Sequence, residues 1–172
     1  MQAIQLLAIL ATAATEVFAQ GANRRLIVSI PDRKIVLLED AQVVKVYPIA
    51  VGKRSTPSPN GNFNIASRVV KPAWYQPGKM VEPGPANPLG TRWMGLGYKG
   101  YGIHGTNMPT SIGKAASHGC IRMRNQDVEE LFELVQVGDP VELVTEVNSD
   151  LAKVFHGDKI ENLTATAAGG LQ

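Results

Sequence analysis

Glycine and proline constrain this chain more than any other feature. The 172 residues include 17 Gly and 11 Pro, spread through the body of the sequence. Proline removes a backbone donor and glycine weakens the interior of helix and strand alike, so a turn-rich β fold is favoured over long helices. The segments between the breakers agree. Residues 25–30 (RLIVSI), 34–39 (KIVLLE) and 43–51 (VVKVYPIAV) are rich in Val, Ile and Leu. Turns at Pro31-Asp32-Arg33 and Asp40-Ala41-Gln42 join them into an antiparallel meander. After a loop at 52–61, residues 63–70 read as a strand, and 92–96 and 101–104 as shorter ones. Residues 71–91 carry Pro72, Pro77, Pro83, Pro85, Pro88, Gly78, Gly84 and Gly90, too many breakers for regular structure, and read as a long surface loop or lid.

One run escapes the breakers. Val128, Leu131, Phe132 and Val135 recur at i, i+3, i+4 and i+7, the apolar stripe of a helix. Asn125 is its predicted N-cap, and Asp127, Glu129 and Glu130 sit near the positive end of its dipole. Gly138 is its predicted stop, and residues 140–145 (PVELVT) return as a strand. The expected domain is therefore mainly β with one packed helix, over residues 25–145. The tail at 146–172 loses periodicity and is expected to be flexible.

Residues 1–19 (MQAIQLLAILATAATEVFA) combine a short apolar run with an A-x-A-like end, the form of a secretory signal peptide. The expectation is export, to a periplasm or cell wall. A net charge of +2 supplies no basic stripe of the kind nucleic acid requires. A single cysteine excludes an intramolecular disulfide and a four-cysteine zinc cage.

That cysteine lies in the stretch most informative about chemistry, residues 103–124 (IHGTNMPTSIGKAASHGCIRMR), with two of the three histidines. A thiol needs an imidazole to take its proton, or a positive field, before it attacks a carbonyl. His104, His118 and Arg122 lie within sequence reach of Cys120. Gly119 suits a loop that turns backbone N–H groups toward a developing oxyanion. Two other readings stand beside the nucleophile. Cys120 could be a small buried hydrophobe, with His104 a satisfied core histidine. Alternatively, His104, His118 and Cys120 could hold zinc in an open catalytic site.

The string S-H-G-C-I-R at 117–122, preceded by I-H-G-T at 103–106, closely resembles the signature of the L,D-transpeptidase (YkuD-type) catalytic domain. Residues 56–63 (TPSPNGNF) resemble that family's T-P-x-P-x-G-x-F segment, and Asn87-Pro88-Leu89-Gly90 with Arg92-Trp93 its N-P-x-G-x-R-W/F segment. Residues 125–128 leading to Gly138-Asp139-Pro140-Val141 resemble its closing helix and strand. The resemblance runs from about Leu26 to Val144 and implies a β-sandwich-like domain with a helix against it.

Carried over residue by residue, Cys120 is the nucleophile and His104 the general base. Gly105 stands where some members have Ser, so a backbone carbonyl there is the implied orienting group. The Gly119 and Cys120 backbone N–H groups form part of the oxyanion hole. His118, Arg122 and Ser117 shape the site and its substrate contacts. The implied substrate is the peptidoglycan stem peptide, as donor and acceptor, and an envelope protein is a further implied acceptor. A thioester on Cys120 would pass to an amine in 3→3 cross-linking or protein attachment, or to water in carboxypeptidase action. No cofactor and no metal are implied, and carbapenems are the implied inhibitors. A zinc-dependent wall peptidase and a non-catalytic peptidoglycan-binding module are the rival readings. Trp74, Tyr75 and Trp93 are candidates to stack on sugars or stem peptides.

Overall fold

The computed structural model describes residues 23–98, 100–149 and 151–155. The proposed signal peptide at 1–19 and the end of the tail, including His156, lie outside the described residues. Strands β1 (Arg24–Ser29), β2 (Lys34–Glu39) and β3 (Gln42–Pro48) form the expected meander. β4 (Val51–Gly52) is a two-residue strand, followed after a loop by β5 (Gly61–Asn64) and β6 (Ser67–Val70). β7 (Trp74–Gln76) pairs with β8 (Lys79–Val81) as a short hairpin. β9 (Arg92–Gly95) and β10 (Gly102–His104) precede a single 3-10 turn at Pro109–Ser111. β11 (Ala115–Ser117) and β12 (Ile121–Arg122) flank the cysteine, and α1 (Asn125–Leu134) leads to β13 (Pro140–Val144).

These strands make two principal sheets. One has the order β3-β2-β1-β13-β5, with β13 parallel to β1; the other is β12-β10-β9-β6. The main core lies between them. Leu26 and Val28 of β1, Ile35 and Leu37 of β2, and Val141 and Leu143 of β13 meet Met94, Ile103 and Ile121 of the second sheet. Val128, Leu131 and Phe132 of α1 close the same core. Among the described residues the chain is mainly β with α1 packed on the main core, as its sequence predicts.

The structure departs from the sequence reading at five places, each with a long-range cause. The strand expected at 63–70 is broken at Ile65 and Ala66, because the chain there passes from one sheet to the other: Ile65 N–H donates to Asp139 O (3.0 Å) and Ala66 N–H to Gly95 O (2.8 Å). The strand expected at 43–51 is likewise cut, since Ala50 bridges to Arg122 and Val51 pairs with β11. The 71–91 segment holds the β7–β8 hairpin and is not uniformly irregular. Asn125 is the first helical residue and Arg124 takes the N-cap position, while the helix ends at Leu134, before Gly138. The Asn125 side chain is drawn away to the Thr106 backbone.

The fifth departure concerns the tail. Residues 151–155 are helical, and Phe155 is only 3% exposed. It packs on Ile27, Val36 and Leu38 with Val147, Leu151 and Val154 beside it, and its carbonyl accepts a hydrogen bond from Lys34 Nζ at 2.8 Å. This explains why β1 and β2 are continuous apolar runs and do not alternate: both faces of each strand are covered. The packed unit thus extends past residue 145, at least to Phe155.

Candidate active site

The four-stranded sheet places the site. Its ladders put Val69 opposite Trp93, Trp93 opposite His104, and His104 opposite Arg122, one row across β6, β9, β10 and β12. Side chains alternate between faces, so Ile103 and Ile121 point into the core and His104 and Arg122 away from it. Cys120 immediately precedes β12, and continuing the register by one residue sets it beside Gly102. Cys120 and His104 are thereby diagonal neighbours on the outer face. A parallel ladder between segments 16 residues apart brings the two together.

His104 is 4% exposed. Its ring stacks on Trp93 with centroids 5.7 Å apart, and Nδ1 lies 2.6 Å from the Gly105 carbonyl oxygen. A carbonyl only accepts, so Nδ1 carries the proton and Nε2 is left with its lone pair. Burial lowers the ring pKa to about 4, and the Arg122 charge pushes the same way against the carbonyls of Gly105 and Leu89. The imidazole is therefore neutral near pH 7, the state a base requires.

Burial pushes the Cys120 thiol up from its usual range, while the Gly102 backbone and Arg122 pull it back. The resting pair is a neutral thiol beside a neutral imidazole. The thiol donates to the Gly100 carbonyl at 3.3 Å. Arg122 is itself half-buried, with its pKa lowered by burial, and its backbone is tied to Ala50 by bonds of 2.8 and 2.9 Å. Its charge acts on both His104 and Cys120.

The turn carrying Cys120 is built by Ser117. Its buried hydroxyl donates to Cys120 O at 2.6 Å and accepts from Gly119 N–H at 3.0 Å. The Gly119 amide, expected at the oxyanion hole, is engaged within the turn in this structure. Gly119 has φ +113°, and a Cβ there would lie 2.5 Å from Tyr101 Cε1, so only glycine fits between turn and ring. His118 is exposed and faces outward, with Nε2 at 3.4 Å from Lys53 Nζ. It stands apart from the buried His104, and among the described residues no cluster of three or more His, Cys, Asp or Glu suited to a metal ion occurs. The His104–His118–Cys120 zinc set is not assembled.

Cys120 opens onto a cleft of about 600 Å³, walled by Val69, Trp74, Tyr75, Leu89 and Trp93. Tyr75 is 70% exposed, and Lys79 Nζ lies 5.9 Å from the Trp74 ring centroid. The wall is held by Asn87, which sequence reasoning passed over. Buried Asn87 donates through Nδ2 to Pro72 O (2.9 Å), Val81 O (3.0 Å) and Glu82 O (3.2 Å), and accepts from Leu89 N–H at 2.8 Å. Asn125 is a second pin, its Oδ1 accepting from Thr106 N–H at 3.0 Å. It packs so closely on Gly90 (φ +63°) that a Cβ there would stand 2.1 Å from Oδ1. The sequence signal for Asn87 was membership in a motif, and that for Asn125 was a motif and a capping role it does not fill.

The sequence profile of the L,D-transpeptidase catalytic domain (YkuD) matches residues 23–143. This chain belongs to that family. It is 45% identical over 119 residues to the Bacillus licheniformis protein YkuD, named among the L,D-transpeptidases, across 69% of this chain and 64% of that protein. The match thus takes up just under two-thirds of that relative's length. The NMR structure of the catalytic domain of the Enterococcus faecium L,D-transpeptidase superposes with a TM-score of 0.59 at 25% identity, covering 73% of this chain and 99% of that one. An L,D-transpeptidase solved in complex with imipenem gives a TM-score of 0.61 at 24% identity, over 72% of this chain and 60% of that chain. Within the family, the row from Trp93 to Arg122 with Cys120 at its edge is the candidate catalytic centre.

Proposed function

We propose that this chain is an exported cysteine L,D-transpeptidase that acts on peptidoglycan stem peptides through a thioester on Cys120. The observation that carries the reading is the strand register that sets Cys120 diagonally beside a buried, neutral His104, whose proton is fixed on Nδ1 by the Gly105 carbonyl. In this reading the Cys120 thiol passes its proton to His104 Nε2 as Sγ attacks the carbonyl carbon of the third stem residue. The amide C–N bond breaks, and the proton returns to the departing D-alanine amine. An amine of a second stem, or of an envelope protein, then attacks the thioester and frees Sγ, which regains a proton. Water in the same place gives carboxypeptidase action. We assign an oxyanion contact to the Cys120 amide, because Ser117 occupies that of Gly119. Arg122 favours the thiolate as it forms. Family membership and the solved imipenem complex of a structural neighbour support carbapenems as acylating inhibitors of the same thiol.

The test is mass spectrometry of the purified protein mixed with a tetrapeptide-bearing muropeptide. The expected result is release of D-alanine with an acyl adduct on Cys120, and neither in Cys120→Ala. Undiminished turnover in Cys120→Ala overturns the reading.

A further inference from the structure

Beside Gly97 and Tyr98 lies a second concavity, of about 640 Å³, that the proposed reaction does not use. Asn62, Phe63, Asn64, Ala66, Leu96, Gly97 and Tyr98 line it. Strand β5 forms one wall and is the edge of its sheet, so one side of its backbone has no neighbouring strand there. Asn62 and Asn64 are exposed on it. Tyr98 is 55% exposed, with its ring centroid 6.0 Å from that of Phe63 and tilted by 47°. None of the described lining residues carries a charge.

This chemistry is selective. Apolar aromatic faces beside amide donors and acceptors suit a ligand with C–H faces and neutral hydroxyl or acetamido groups. Among the described residues, the lining holds no charge to meet the carboxylates and ammonium groups of a peptide. The concavity is also tied to the reacting turn. Tyr98 stacks on Tyr101 with centroids 5.1 Å apart, and Tyr101 abuts Gly119. Gly100, in the same loop, accepts the Cys120 thiol bond. A ligand seated on Tyr98 is thus held one aromatic ring away from the turn that carries the nucleophile.

We propose that the Phe63–Tyr98 concavity is a subsite for a neutral N-acetylated hexosamine, the sugar portion of a glycan-linked stem. The proposal rests on the peptidoglycan reading above and deepens it: the enzyme would read the sugar at Tyr98 and the peptide at Cys120. The cost of losing one aromatic contact sets the scale, about tenfold.

The experiment compares kcat/KM for a disaccharide-linked tetrapeptide with that for the same tetrapeptide without sugar, in wild type, Tyr98→Ala and Tyr98→Phe. In parallel, chitotriose, an uncharged N-acetylhexosamine trimer, is titrated into the Cys120→Ala protein and followed by NMR. The expected wild-type preference for the sugar-linked stem is about tenfold. It falls to about one in Tyr98→Ala and is kept in Tyr98→Phe, and chitotriose shifts the resonances of Tyr98 and Asn64. Equal kcat/KM for the two substrates in wild type, or a preference that survives Tyr98→Ala, overturns the subsite. Chitotriose shifts with no turnover of either substrate overturn the peptidoglycan reaction and leave sugar binding standing. Turnover without preference or shifts does the reverse.

Discussion

The two sheets are built on different principles. In the five-stranded sheet, β1 and β2 are apolar runs that neighbour each other in sequence and bury both faces. In the four-stranded sheet, β10 and β12 are three and two residues long, and they pair only because the chain between them folds back. Hydrophobic area secures the first. The second depends on polar pins: Ser117 beneath the cysteine turn, Asn87 beneath the cleft wall, and Asn125 against Gly90 and Thr106. The lesson is that the candidate reactive groups stand on the less redundant part of the molecule, where a few hydrogen bonds set position. Such buried bonds are costly to leave half-made.

The sharpest way to break the comparison is at His104. Replacing it with Ala should cost acylation on the order of 100-fold or more, the usual scale for a lost general base. Raising the pH toward the thiol's own range should restore part of the loss, because hydroxide then supplies the thiolate. Stopped-flow acylation by a chromogenic β-lactam against pH measures both effects. The same loss with no alkaline recovery would count against His104 as the base. His118→Ala, on an exposed ring beside Lys53, should lose less and recover little with pH.

The next effect concerns pH and stability together. Burial holds the His104 pKa at about 4, below the ordinary 6.5. Between those values the unfolded chain binds a proton that the folded chain does not, so stability rises with pH through this window. It is fully present above about 6.5 and is lost as pH falls toward 4, by ~3 kcal/mol for this one group. Denaturant titrations from pH 7 to pH 4 should show this slope in wild type and a shallower one in His104→Ala. The acid limb of kcat/KM should fall nearer pH 4 than 6.5, and a limb at 6.5 would mean the ring is solvated.

A paired substitution compares the sheets directly. Leu26→Ala removes a fully buried side chain from β1 and should cost about 2–5 kcal/mol of global stability, with kcat/KM of the folded protein little changed. Asn87→Ala strips the carbonyls of Pro72, Val81 and Glu82 of a shared donor and should cost about 2 kcal/mol. It should also lower kcat/KM, since Leu89 faces both His104 and the cleft. Melting temperature plotted against kcat/KM should separate the two variants into different quadrants. The smallest effect is expected at Arg24→Ala, which breaks a part-exposed ion pair with Glu39 (2.7 Å) at the end of the meander and should cost at most about 1 kcal/mol.

Much was legible before any coordinates. The meander at 25–51 was readable because its strands pair with their sequence neighbours through short turns. The α1 stripe was readable because helical period is a local property. Cys120 and His104 stood out by residue type and by motif. The β7–β8 hairpin was not legible, since its three-residue strands sit among prolines and are held by a side chain six or more residues away. Asn125 misled for a related reason: a good capping residue was taken by a more distant amide, that of Thr106.

The sequence by itself determined the fold class, the α1 stripe, and the cysteine and histidine that are the candidate reacting pair, because each is written in patterns spanning a few residues. Tertiary structure alone decided the rest. It turned the run after Glu146 into a cover for the outer face of β1 and β2, since only a folded sheet presents that face. It committed the Gly119 amide to Ser117 and pointed His118 at Lys53. It also buried His104 against Trp93 and lowered its proton affinity, because desolvation is a property of everything packed around a group and of no residue taken alone.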